Sequence, residues 1–256
     1  SPKPNRILFR KPPSSMKTVA IIQARLGSTR LRGKVLRPLG GRTMLECVMQ
    51  RLADCQTIDQ LVIATTTQPA DRELIEFCQR HQWAFHAGSE NDVLSRYVDA
   101  AEKYAADRIV RITSDCPLID PKIVDQTVDL MNSADGIDYA TNFHPLRTYP
   151  RGLDCEALTR RTLDRIDRLA TTPRYREHVT LYAYQNPTRF KIASINASED
   201  WSHLRWTVDT EDDLRLVSEI YRHFDDSPFD WKDIIKAYET HPSWIDINRH
   251  CLQKVA

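Results

Sequence analysis

The chain has 256 residues, 41% of them hydrophobic and 28% charged, with a formal net charge of +1. This is the composition of a soluble globular protein of one large domain or two small ones, and its near-neutral balance argues against general nucleic-acid or membrane-surface binding. No apolar run is long enough to span a bilayer and no secretory leader is visible. Six cysteines with no C-x-x-C spacing fit reduced thiols in a cytoplasmic protein.

Residues 1–15, SPKPNRILFRKPPSS, are rich in Pro, Ser and basic side chains. They read as a flexible leader or an appended remnant ahead of a single domain over 16–256. From residue 18 strands and helices alternate. TVAIIQA is a short β-rich run, and MLECVMQRLAD carries apolar residues at helical spacing. LVIATT is a second buried-type strand, and DRELIEFCQRHQ a helix opened by acidic residues. AFHAG follows as a strand and NDVLSRYVDAAEKYA as an amphipathic helix with Asn91 as its N-cap. DRIVRITSD, PKIVDQTVDLMN and DYATN continue as strand, helix and strand, the helix with Pro at its start. This alternation predicts an α/β fold with a mainly parallel or mixed sheet and helices on both faces. Right-handed crossovers place the strands' C-terminal ends on one edge, where ligands bind.

After Asn142 the rhythm changes. HPLRTYPRGLDCEAL reads as loop, RRTLDRIDRLA and REHVTLYAYQN as helices, and RFKIASINA and HLRWTVD as strands. EDDLRLVSEIYRHF and DWKDIIKAYETH read as closing helices. The segment over about 143–200 is therefore an expected insertion that rejoins the sheet at RWTVD and shapes a pocket.

Three stretches carry chemistry. Between Ala20 and Arg42 lie six basic residues, no acidic one, and four of the chain's seven glycines. The loop follows a strand, so it sits at the ligand edge. Its glycines allow close backbone approach, and its N–H groups, with Arg25, Arg30 and Lys34, suit a phosphate. The spacing is neither G-x-x-x-x-G-K nor G-x-G-x-x-G. In RITSDCPLID, Asp115 ends a β-run at the same edge, a position suited to a divalent cation beside phosphates. In LRWTVDTEDDL, Asp209 ends another run, while Thr210 and Asp212 or Asp213 open a helix. Two strand-end acids facing a basic loop suggest a metal-dependent nucleotide reaction.

The stretches IIQARLGSTRLRGKVL, TSDCPLID and TVDTEDDL, in this order, resemble the cytidylyltransferases that activate sugars as CMP derivatives. That group includes the 3-deoxy-manno-octulosonate and acylneuraminate enzymes. GSENDVLSRYVDAA, TYPRGLDCEAL and REHVTLYAY resemble the branch named for spore coat polysaccharide biosynthesis protein F. The resemblance covers Met16 to Phe224. It implies a nucleotide-diphospho-sugar-transferase-like fold and transfer of CMP from CTP to a sugar or sugar acid, with release of pyrophosphate. It also implies Mg²⁺ held by Asp115 and Asp209. The nucleotide would lie on Ala24, Arg25, Gly27, Ser28, Thr29, Arg30 and Lys34, with Arg25 and Lys34 acting on the triphosphate. Its base would lie against Ala64 to Thr67, Thr66 included. Arg151, Asp154, Glu156, Arg176 and His178 are the expected acceptor residues, Arg for an anionic group and His178 as general base. Homodimerisation through the middle segment is a further expectation. Cys116 stands where the octulosonate enzymes carry Glu, so the resemblance leaves the sugar open. Two other readings fit a nucleotide-binding sheet. One is a nucleotide-sugar-dependent glycosyltransferase, although no Asp-x-Asp follows a strand. The other is a non-catalytic nucleotide-binding scaffold.

Overall fold

The computed structural model describes residues 16–253 except 29, 134–135 and 226, so the leader expected over 1–15 lies outside the described residues. In chain order the elements are β1 (Thr18–Gln23), β2 (Pro38–Leu39), β3 (Arg42–Thr43), α1 (Met44–Ala53), β4 (Gln60–Thr66), α2 (Arg72–Arg80), β5 (Ala84–Gly88), α3 (Val93–Lys103), β6 (Arg108–Thr113) and α4 (Pro121–Ser133). There follow β7 (Tyr139–Thr141), β8 (Glu156–Thr159), α5 (Arg160–Leu169), α6 (Pro173–Glu177), α7 (Leu181–Tyr184), β9 (Ile192–Ser194), α8 (Glu211–Phe224), α9 (Trp231–Thr240) and α10 (Trp244–Asn248).

The main sheet has seven strands in the order β5-β4-β1-β6-β8-β7-β9. All its strands run parallel except β8, which is antiparallel to both neighbours. Period-two alternation sends β1 side chains to two separate cores. Ala20 and Ile22 pack under α1, α4 and α8, with Leu45, Val124 and Leu216. Val19 and Ile21 pack against α3 and α5, with Leu94, Tyr97 and Ile166. The expected mainly parallel sheet with helices on both faces is therefore the observed one, and it directs the C-terminal ends of β1, β4 and β6 to a common edge.

Helix starts follow local chemistry. Thr43 and Glu46 form a capping box at α1, and Thr210 and Asp213 form one at α8. The cap of α3 is Asp92, whose side chain accepts from Ser95 N at 2.9 Å, rather than the expected Asn91. REHVTLYAYQN is not one helix. It breaks between α6 and α7, where Val179 takes a positive φ of 50°.

Two further expectations change. The loop-like HPLRTYPRGLDCEAL ends in β8, which enters the sheet between β6 and β7, so residues 143–200 supply both β8 and β9. HLRWTVD forms no strand of the main sheet. Only Arg151 and Arg205 bridge, with Arg151 N to Leu204 O at 3.0 Å and Trp206 N to Arg151 O at 2.7 Å. Gly152 then turns the chain away at φ +102°, and Val208 N bonds instead to Asp115 O at 2.8 Å. With the Thr207 hydroxyl, which donates to the same carbonyl at 3.3 Å, it ties together the two strand-end acids' segments.

Candidate active site

The basic loop is a braced structure. Ala24 N donates to Ala64 O at 3.0 Å and Gly33 N to Leu26 O at 3.0 Å. Leu31 and Val35 are buried beneath it, while Arg25 and Arg30 are exposed. Gly33 supplies the left-handed φ of 65° that opens a single 3-10 turn over Lys34–Leu36. Asp71 holds the loop's start from below: its carboxylate accepts from Leu26 N at 2.6 Å and from the Thr66 hydroxyl.

Lys34 is largely buried, and its ammonium donates to Asp115 Oδ2 at 3.0 Å, Asp209 Oδ1 at 2.8 Å and Val208 O at 2.8 Å. Burial alone would lower its pKa, but Asp115 and Asp209 outweigh burial and raise it. Burial would likewise raise Asp209, yet Lys34 and Arg30 hold it below the usual carboxylate range. Arg30 reaches Asp209 Oδ2 at 2.9 Å. Arg205 reaches the same oxygen at 2.8 Å and holds Asp213 through two further bonds. The two acids, 94 positions apart in sequence, thus share one cation and have fixed orientations.

That group lies on the seam of two cavities. One of about 430 Å³ is lined by the loop residues Ala24, Arg25, Ser28 and Lys34, and by Arg96. The other, of about 560 Å³, is lined by Cys116, Arg151, Asp154, Glu156 and Tyr184 among others. Arg30, Arg111, Asp115, His178 and Asp209 line both.

Of the other expected site residues, Arg25, Ser28, Arg151, Asp154 and His178 line one or both cavities. Arg25 faces the first cavity and lies 3.6 Å from Glu90. Gly27 is exposed at the loop's outer turn, while Ser28 accepts from Leu31 N at 3.3 Å. Thr29 lies outside the described residues. Arg151 faces the second cavity with no ion pair among the described residues. Burial, and then Arg147 beside it, holds its pKa below the usual arginine value. Asp154 lines the same wall, where Arg147 grips both its oxygens, at 2.5 and 2.8 Å. His178 faces both cavities, and burial lowers its pKa, so the imidazole is neutral at pH 7.

Three expectations are corrected. Thr66 lines neither of these two cavities: its hydroxyl is buried and spent on Asp71. Glu156 lines the second cavity, but its oxygens are occupied by Arg111 at 2.5 Å, Tyr139 Oη at 2.7 Å and Thr180 Oγ1 at 2.6 Å. It is a structural counter-charge rather than an open sugar contact. Arg176 is turned away from both cavities, tying Asp92 at 2.8 Å to Asp167 at 2.7 Å and so pinning α6 against the start of α3.

One residue that the sequence did not single out stands out in the structure. Arg96 on α3 is 2% exposed, and its Nε and Nη1 carry no hydrogen bond. Burial, with repulsion from Arg25, pulls its pKa down. It lines the first cavity, and it fits because Gly88 has no side chain: a Cβ there would meet Arg96 Cγ at 2.9 Å. A buried donor set left open toward a cavity is a costly arrangement that a ligand would complete. Its only sequence signal is an arginine at a core-facing helical position.

A family model described as Cytidylyltransferase matches residues 19–237. An uncharacterized protein of Methanocaldococcus jannaschii is 36% identical over 241 residues, covering 93% of this chain and 97% of its own length. The spore coat polysaccharide biosynthesis protein SpsF of Bacillus subtilis is 33% identical over 215 residues, covering 81% of this chain and 88% of its own. Among solved structures, a cytidylyltransferase from Leptospira borgpetersenii serovar Hardjo-bovis has a TM-score of 0.86 at 36% identity, covering 94% of this chain and 99% of that one. Matched in sequence and in backbone over most of its length, this chain belongs to the cytidylyltransferase family of nucleotidyl-transferring enzymes.

Proposed function

We propose that the two joined cavities hold CTP and a sugar or sugar-acid acceptor, and that the protein transfers CMP to an acceptor oxygen for polysaccharide precursor synthesis. The observation that carries this reading is the Lys34 ammonium held between Asp115 and Asp209 at the seam of the two cavities. In the reaction the acceptor oxygen bonds the α-phosphorus, the bond to the bridging β-phosphate oxygen breaks, and pyrophosphate leaves. The acceptor proton goes to a base. His178, neutral and facing both cavities, fits that task.

Lys34, Arg25 and Arg30 would neutralise the triphosphate and the charge that builds on the leaving pyrophosphate. Arg96 would complete its fork on acceptor atoms of the nucleotide. Cytosine offers two adjacent acceptors, O2 and N3, whereas uracil carries a hydrogen on N3, so an arginine fork there favours CTP. Arg151, with no ion pair among the described residues, suits a carboxylate or phosphate on the acceptor.

The residues fit Mg²⁺. Two carboxylate oxygens converge on one cation, the Lys34 ammonium, within 3.0 Å, and Mg²⁺, commonly held by one or two carboxylates plus substrate phosphates, would take that point as Lys34 swings to the phosphates. Asp115 and Asp209 would hold it, and when bound it would offset phosphate charge at the reacting centre.

The test is pyrophosphate release from CTP with Mg²⁺ and a panel of neutral and acidic sugars. Release is expected with at least one sugar, and Asp115→Asn and Asp209→Asn should each fold but lose about 100- to 1,000-fold in kcat. A folded protein that releases no pyrophosphate from any nucleoside triphosphate overturns the reading. Tight binding of a nucleotide sugar without pyrophosphate release would instead favour glycosyl transfer.

A further inference from the structure

A second cluster of potential ligands lies outside both cavities. After α10 the chain turns back over the start of α8, where Asn248 fastens it by donating to Arg205 O at 2.9 Å and Asp213 Oδ1 at 2.8 Å. This brings His250 and Cys251 onto Asp212, in the first turn of α8. One oxygen, one nitrogen and one sulfur, from Asp212, His250 and Cys251, lie within 4.8 Å of one another. We propose that these three residues bind a divalent cation of the zinc class and that the ion fastens the C-terminal segment to α8.

Three observations carry this. First, the donor set is mixed N, O and S, which suits zinc and its borderline-soft relatives and not magnesium or calcium. Second, the two spacings from His250 lie near the edges of a coordination tetrahedron, and the third is no more than 4.8 Å. Ordinary zinc bond lengths require edges of about 3.4 Å between N and O and about 3.6 Å between N and S. The structure has His250 Nε2 at 3.1 Å from Asp212 Oδ2 and at 3.8 Å from Cys251 Sγ. Third, His250 Nε2 cannot serve both neighbours with one linear hydrogen bond. A ring nitrogen has either one hydrogen or one lone pair, yet a carboxylate and a thiol both converge on Nε2. A cation at that convergence satisfies all three.

The surroundings agree. Cys251 is the one cysteine that is not buried, so it can be reached and ionised by a metal. The Thr210 hydroxyl, 3.3 Å from its sulfur, is placed to support a thiolate from the second layer. Asp212 and His250 are both partly open to solvent, which leaves a fourth position for water.

The consequence reaches the acceptor cavity. Two residues past Cys251, Gln253 lines that cavity and accepts from Arg205, the arginine that also holds Asp209. A fastened tail would therefore set one wall of the cavity.

The proposal does not depend on cytidylyl transfer, and its test does not read turnover. The full chain, stripped with a chelator, is titrated with Co²⁺ and then with Zn²⁺. The expected result is one equivalent of Co²⁺ giving a thiolate-to-cobalt absorption band that Zn²⁺ displaces. Cys251→Ser should abolish the band, and His250→Ala should weaken Zn²⁺ binding by at least about tenfold. Co²⁺ held only by Asp115 and Asp209 would give no thiolate band. Zn²⁺ should raise the melting temperature of the parent and leave Cys251→Ser unmoved. A missing band, a band that survives Cys251→Ser, or zinc affinity equal in parent and variants overturns the site. The contacts would then be an ion pair and nothing more.

Discussion

Arg96 shows what a single side chain can reveal when its hydrogen bonds are counted. An unpaired buried guanidinium costs several kcal/mol in the apo protein, and nothing in the core is gained in return. Removing the charge therefore separates a structural role from a binding one. Arg96→Met keeps the aliphatic volume beside Gly88 and removes the charge. The melting temperature should hold or rise, while the KM for CTP rises about 10- to 100-fold, the worth of one or two charge-assisted hydrogen bonds. If the variant instead melts well below the parent with KM unchanged, Arg96 is a packing residue. The two strand-end acids, Asp115 and Asp209, were easier to read from the sequence, because a strand-end Asp stands out against the apolar run before it. Arg96 was hidden, since an arginine at a helical position is ordinarily solvated, and only the lack of side chain on Gly88 lets this one turn inward. Asp71 was hidden for the same reason: an acid at a helix start looks like a cap, whereas here it braces the basic loop.

At the scale of elements, the alternating half of the chain was legible and the middle was not. Apolar runs such as IIQ and LVIATT are bounded by turns and buried on both faces, so periodicity alone finds β1, β4 and β6. β8 was missed because its four residues, Glu156–Thr159, begin with a buried charge and follow a polar loop. RWTVD was overread, because its β-branched and aromatic content is spent on packing Trp206 and Val208 into the core rather than on strand pairing. What sets its course is Gly152. An alanine there would place a Cβ 2.6 Å from Thr207 N and from Trp206 C, at a φ of +102° that disfavours any side chain. Gly152→Ala should cost at least about 2 kcal/mol, some 4–8 °C in melting temperature for a chain of this size, and should lower activity by displacing the segment that carries Asp209. Gly27→Ala is the matched control, since nothing lies within 4 Å of a Cβ there and its φ is ordinary. Its stability should change by less than about 0.5 kcal/mol. Equal melting temperatures for the two variants would sink the argument.

Across the whole molecule, β1 and β6 of the parallel half line the first cavity through Gln23, Arg111 and Thr113, and β8 reaches the second through Glu156. One buried ion pair joins them. Arg111 on β6 and Glu156 on β8 are register partners, 2.5 Å apart at their charged tips. Burial alone would lower the pKa of Arg111, but Glu156 reverses this and raises it far above the usual value. Glu156 also collects Tyr139 from β7 and Thr180 from the turn before α7, so three segments converge on one carboxylate of a fourth. The sequence gives no sign of this convergence, because it exists only once β8 is inserted in reverse between two parallel strands. It also explains why a residue that looked like a sugar contact is unavailable for one. Glu156→Gln leaves Arg111 buried without its counter-charge and should cost about 3–5 kcal/mol, whereas Arg111→Met combined with Glu156→Leu should recover much of that loss. Denaturant melts of Arg111→Met, Glu156→Leu and the double would measure the coupling. If Glu156→Gln melts with the parent while the acceptor KM rises, the carboxylate belongs to the acceptor after all. If stability falls and the double variant restores it, Glu156 is the brace that holds the two cavities at a fixed distance across the Lys34 seam.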